Sequence, residues 1–183
     1  MMPALRPTTG PQQPIFQDLK LRDKKQRIVA VIGASQCSAQ ESRLAEDVGR
    51  ELAKNGAAVI CGGLTGVMEA VCRGASECGG LTIGVLPGDT SESANTFVKL
   101  PIVTGMGYAR NVIIVKSADA AIAIGGGYGT PSEIAFARQR HLRVVGLGTW
   151  EISRAGELDD TIMRAASAKE AVALALSDEE RKK

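Results

Sequence analysis

The 183-residue sequence predicts a single α/β domain, a doubly wound parallel sheet of about six or seven strands with helices on both faces. Three observations carry this. The short apolar runs are continuous rather than alternating, as in Ile28-Val29-Ala30-Val31-Ile32 and Ala120-Ala121-Ile122-Ala123-Ile124, which is the pattern of strands buried on both faces. Segments of helical periodicity separate these runs. Three of the runs stop at a glycine, Gly33, Gly62 or Gly125, so glycines should gather along the carboxyl edge of the sheet, where such folds bind ligands.

Each element has a local reason. Residues 1–27 carry four prolines and then a charged stretch without apolar periodicity, and read as a disordered leader. Residues 27–33 are a β-branched first strand. Ser38-x-x-Glu41 reads as a capping box for a helix with Leu44, Val48 and Leu52 on one face, ended by Asn55-Gly56. A second strand at 57–61 runs into Gly62-Gly63-Leu64-Thr65-Gly66, and a helix over 67–78 ends at Gly79-Gly80. Strand 81–86, a polar loop at 87–93 and a short strand near 98–103 follow. Residues 108–116 are expected as a helix, because the next strand, 119–124, needs a crossover. Helix 131–140, strand 142–147, a last strand at 161–165 and a helix opened by Ser167-x-x-Glu170 complete a Rossmann-like domain over 28–176. Residues 177–183 form a charged tail.

Composition removes several function classes. A hydrophobic content of 44% with 23% charged residues suits one buried core. The net charge of +2 is spread out and aromatics are only 3%, so neither a basic face nor a stacking platform for nucleic acid is expected. Cys37, Cys61, Cys72 and Cys78 form no C-x-x-C pair, and His141 is the single histidine. No metal site is expected, and the cysteines read as small buried hydrophobes in a reducing compartment. No run approaches membrane-spanning length and no secretory leader is present, so a cytoplasmic protein is expected.

The most informative stretch is Gly125-Gly126-Gly127-Tyr128-Gly129-Thr130-Pro131-Ser132-Glu133. Glycines after a buried strand let a ligand approach main chain, and a helix start beside them offers free N–H groups and a positive dipole end to an anion. Thr130 suits the N-cap and Pro131 the first helical position. Glu133 then has two readings. It closes a Thr130-x-x-Glu133 capping box, or it is a carboxylate held beside a bound phosphate or ribose. No G-x-G-x-x-G follows the first strand, where Gly33-Ala34-Ser35 stands, and no P-loop motif occurs. His141, beside Arg138 and Arg140, reads as a cation at a helix end.

The segment Gly126-Gly127-Tyr128-Gly129-Thr130-Pro131-Ser132-Glu133 resembles the G-G-x-G-T-x-x-E motif of the lysine-decarboxylase-like, or Lonely Guy (LOG), superfamily. The likeness spans about residues 28 to 150. Thr82 to Gly88, Pro101 to Gly105 and Ala109-Arg110-Asn111 look most like its molybdenum cofactor carrier branch. Decarboxylase chemistry would need a pyridoxal-binding lysine, and none stands at a strand or glycine-loop edge. The resemblance implies a ligand site with Arg110 and Glu133 beside the sugar, the two positions that carry N-glycosidic hydrolysis in LOG phosphoribohydrolases. Phosphate would be cradled by Gly33, Ser35, Gly62, Gly63, Gly66, Gly126, Gly127, Gly129 and Thr130. Gly125, Ser132 and Asn111 depart from the hydrolases' usual proline, glutamate and lysine, and the last two remove charge from beside the sugar.

The expected function is therefore binding of a phosphorylated nucleotide-like or pterin-like ligand, a molybdopterin-type cofactor or a nucleoside monophosphate, with no cofactor required. The alternative is a nucleoside 5′-monophosphate phosphoribohydrolase. Val112-Ile113-Ile114-Val115, four apolar residues in a row on a helix, further suggest a homo-oligomer.

Overall fold

The structure, a computed structural model, describes residues 26–178. The leader expected over 1–27 lies outside the described residues except for its last two, as do residues 179–183 of the tail. In chain order the regular elements are β1 (Ile28–Gly33), α1 (Ala39–Lys54), β2 (Ala58–Cys61), α2 (Val67–Glu77), β3 (Thr82–Leu86) and β4 (Leu100–Val103). A 3-10 turn (Gly107–Arg110) leads into α3 (Asn111–Lys116), β5 (Ala120–Ile124), α4 (Gly129–Gln139) and β6 (Arg143–Leu147). A small hairpin, β7 (Ser153–Arg154) and β8 (Glu157–Leu158), precedes β9 (Ile162–Arg164) and α5 (Ala168–Leu176).

Seven strands form one parallel sheet in the order β4-β3-β2-β1-β5-β6-β9. The chain builds outward from β1 through β2 and β3 to the edge at β4, then returns to β5 on the other side of β1. The order thus reverses between β1 and β5, and a crevice opens outside their carboxyl ends.

The continuous apolar strands divide their side chains between two cores. Val29 and Val31 of β1 pack with Val48, Leu52, Val71 and Val172 under α1, α2 and α5. Ala30 and Ile32, pointing the other way, pack with Ile114, Val115, Ile134 and Ala137 under α3 and α4. The expected capping box of α1 is present in full. Ser38 accepts from the Glu41 N–H at 3.2 Å, and the Glu41 carboxylate accepts from the Ser38 N–H at 2.7 Å.

Three local expectations are corrected. The helix expected over 108–116 is broken, because its first residues form the 3-10 turn and only Asn111–Lys116 are α-helical. The β7–β8 hairpin was not anticipated. Its turn, Ala155-Gly156, has φ of 54° and 87° at its two central residues, and alanine is a poor signal for a turn that needs positive φ. The cysteines do not share one environment either: Cys61 and Cys72 are buried with sulfurs 3.5 Å apart, Cys37 is half-buried and Cys78 is exposed. Cys78 lies at the C-cap of α2, beyond the last turn that faces the sheet.

Candidate functional site

A cleft of about 510 Å³ opens at the carboxyl ends of β1, β2 and β5, at the point where strand order reverses. Eight of the residues singled out in the sequence line it: Gly33, Ser35, Gly62, Arg110, Gly127, Gly129, Thr130 and Glu133. Three do not. Gly63 packs against Gly84, Gly66 stands at the N-cap of α2 against Ala34 and Ser35, and Gly126 covers the Thr130 side chain. The cleft also includes Leu64, Met68, Tyr108, Asn111 and Tyr128. Leu64 and Met68 carried no signal in the sequence, since apolar residues after a glycine turn are equally at home in a core.

The glycine loop is held from behind by the segment after β6. Thr149 donates its hydroxyl to the Gly125 carbonyl at 2.5 Å, and the Trp150 indole N–H donates to the Gly126 carbonyl at 2.9 Å. Gly126 has φ 120°, and a Cβ there would lie 2.4 Å from the Thr130 hydroxyl oxygen, so backbone conformation and packing both require glycine. This tight turn brings the helix start forward by two residues, from Pro131 to Gly129. The capping box expected at Thr130 is absent, because α4 begins at Gly129 with Tyr128 at its N-cap and no side chain caps it. Thr130 is instead buried inside the first turn, where its N–H donates to the Gly127 carbonyl at 3.0 Å. The Glu133 carboxylate is therefore not consumed by the helix end. It faces the cleft, with Glu133 only 6% exposed.

Arg110 is the other buried ion, 8% exposed. The 3-10 turn ends on it and aims it inward. One guanidinium nitrogen donates to the Asn111 side-chain carbonyl, and another donates to the Gly62 carbonyl at 3.3 Å. Its Nε is buried and has no hydrogen-bond partner among the described residues. Burial pushes the Arg110 pKa down, and the Glu133 charge opposes that. Burial pushes the Glu133 carboxyl up to about 7 although Arg110 pulls it back. The two charges act on each other, yet they form no ion pair within 4 Å among the described residues.

Chemically, a helix start with no side-chain cap stands beside a buried cation and a carboxyl that burial holds at about 7, an arrangement able to receive an anion. Among the described residues, no group of three or more His, Cys, Asp or Glu side chains is placed to hold a metal ion. None of the helices described is long and apolar enough to cross a membrane.

Comparison with known proteins places this geometry in context. Residues 26–180 match the SLOG cluster4 family. An uncharacterized protein of Archaeoglobus fulgidus is 49% identical over 119 residues, 65% of this chain and 78% of that one. A cytokinin riboside 5′-monophosphate phosphoribohydrolase of Mycobacterium tuberculosis is 34% identical over 110 residues, 58% of this chain and 59% of that protein. Among solved structures, the molybdenum cofactor binding protein of Rippkaea orientalis superposes with a TM-score of 0.74 at 32% identity, covering 82% of this chain and 95% of that one. The molybdenum cofactor carrier protein of Chlamydomonas reinhardtii gives 0.71 at 34% identity, with 81% and 95% covered.

Proposed function

The chain belongs to the SLOG cluster4 family, and we propose that it binds a phosphorylated nucleotide-like or pterin-like ligand in the cleft between the β1, β2 and β5 ends. The observation that carries this reading is the pair Arg110 and Glu133, buried and facing one cleft without closing on each other. A buried guanidinium whose Nε lacks a partner is costly to the fold alone, and a ligand oxygen would satisfy it. The phosphate would sit on the N–H groups of Gly127, Tyr128 and Gly129 at the start of α4, with Ser35 opposite. The likeness to proteins named for molybdenum cofactor binding supports a phosphorylated pterin as one candidate cargo.

A second reading is hydrolysis of a nucleoside 5′-monophosphate, and one observation favours it: the Glu133 carboxyl, at about 7, is poised to exchange a proton near neutral pH. Ionised Glu133 would stabilise positive charge on the sugar as the N-glycosidic bond breaks. Water would then add to the anomeric carbon while the departing base takes a proton. Ser132 and Asn111, where the hydrolases usually carry charged residues, favour binding over turnover.

Incubation of the purified protein with AMP separates the two. The binding reading expects a stoichiometric complex and no free adenine. Release of adenine and ribose 5-phosphate over many turnovers would replace it with the hydrolase.

We also propose self-association through the α3–α4 face. A groove of about 240 Å³ runs there between Val112, Val115, Lys116, Phe136, Gln139 and Arg140, with Phe136 38% exposed. Light scattering at micromolar concentration should give the mass of a dimer or a multiple of one; a monomer mass would refute this.

A further inference from the structure

We propose that Tyr108 and Tyr128 are specificity-determining residues that grip the planar ring of the ligand; the inference rests on the phosphate reading of the cleft. Both tyrosines line the cleft, and both are almost wholly exposed, at 94% and 91%. No other large apolar side chain among the described residues approaches that exposure; the next, Leu158, stands at 57%. A tyrosine ring carries on the order of 150–250 Å² of surface, so leaving two uncovered at the mouth of one cleft forgoes a substantial stabilisation unless something else covers them.

Their placement ties them to the site. Tyr108 is two residues before Arg110 in the same 3-10 turn, and Tyr128 stands between Gly127 and Gly129 as the N-cap of α4. The backbone that positions the buried cation and the anion-binding N–H groups thereby positions the two rings as well. Tyr128 is also braced. Its ring centroid lies 5.7 Å from that of Trp150 at a tilt of 44°, and Trp150 is pinned in turn by its hydrogen bond to the Gly126 carbonyl. A tilted contact of this kind supports the ring while leaving it exposed to a partner. The occupant that fits is a flat heteroaromatic ring, a purine or a pterin, attached to a phosphate that reaches the glycine loop. Stacking tolerates either ring because each has a π-face. The side chains gripping the ring supply affinity for ring-bearing ligands, and the glycine loop supplies affinity for phosphate.

The test is isothermal titration of AMP and of ribose 5-phosphate, which lacks the ring, into the wild type and into Tyr108→Ala, Tyr128→Ala and Tyr128→Phe. The wild type should bind AMP at least about tenfold more tightly than ribose 5-phosphate. Each Ala variant should weaken AMP by about 5- to 100-fold, matching the loss of one stacking partner, and change ribose 5-phosphate less than about twofold. Tyr128→Phe should keep the wild-type affinity for AMP. If ribose 5-phosphate binds and AMP binds no better, or if the Ala variants weaken both ligands equally, the stacking role is overturned and the phosphate reading stands. If neither ligand binds the wild type, the phosphate reading falls and this inference with it. Ala variants that change the particle mass while leaving AMP affinity intact would assign the rings to contacts between copies, which also overturns the proposal.

Discussion

Glu133→Gln is expected to stabilise the protein by about 3 kcal/mol at pH 8 and to leave its stability unchanged at pH 4. In the unfolded chain the carboxyl titrates at its ordinary 4.5, and in the folded protein burial holds it at about 7. Below pH 4.5 the group is protonated in both states and contributes no difference. As pH rises from 4.5 toward 7, the unfolded chain gives up a proton that the folded protein keeps, so stability falls. Above about 7 the full cost of an ionised buried carboxylate is present. At about 1.4 kcal/mol per pH unit between the two values, that cost is about 3 kcal/mol, with the attraction of Arg110 already counted. Glutamine has the size of the protonated acid and never ionises. For a chain of this length the gain should appear as a melting temperature higher by roughly 6 to 12 °C at pH 8. Thermal melts of both proteins across pH 4 to 8 check this. Parallel curves would mean that the carboxyl is solvated and not held in the cleft. A fold that carries this cost at working pH is trading stability for a charge in its site, as functional sites commonly do.

Gly74→Ala should lower stability by about 2 kcal/mol, although alanine is the better helix former. Gly74 of α2 and Gly49 of α1 lie where the two helices cross. A Cβ on Gly74 would stand 2.0 Å from the Glu46 carbonyl oxygen, and one on Gly49 would stand 2.2 Å from the Val71 carbonyl oxygen. Both obstacles are backbone, so no side chain can turn aside, and the helices must separate by more than an ångström. That opens the core around Val48, Leu52 and Val71. Overpacking of this kind costs about 3 kcal/mol, against about 1 kcal/mol returned by helix propensity. Urea unfolding should show a lower midpoint for Gly74→Ala, and the double variant with Gly49→Ala should lose less than the sum, since both relax through the same separation. A stabilised Gly74→Ala would show that the helices do not pack this closely.

Much of the fold was legible in the sequence because its strands are buried on both faces. Runs such as Ala120 to Ile124 cannot alternate in polarity, and each is punctuated by glycine or by a capping signal such as Ser38 with Glu41 or Ser167 with Glu170. The carboxyl-edge glycines named the location of the cleft for the same reason. What escaped depends on geometry that short-range patterns do not carry. The Thr130-x-x-Glu133 spacing is a good capping box on paper, but the glycines before it turn the chain so sharply that α4 starts at Gly129 and Glu133 swings into the cleft. Gly63, Gly66 and Gly126 looked equivalent to Gly62 and Gly127 in sequence, yet they stand behind the surface that a ligand would touch. The lining by Leu64, Met68 and Tyr108 follows from how the start of α2 and the 3-10 turn converge, which neither segment encodes alone.

Titration of ribose 5-phosphate into the wild type and into Arg110→Met at one fixed salt concentration, with thermal melts confirming that both are folded, tests the proposed binding of phosphate beside the buried Arg110. Saturable binding to the wild type is expected, competed by inorganic phosphate and weakened about 10- to 100-fold in Arg110→Met, the loss of a charge-assisted contact. Absence of saturable binding to the wild type, or equal affinity in the two proteins, would contradict it.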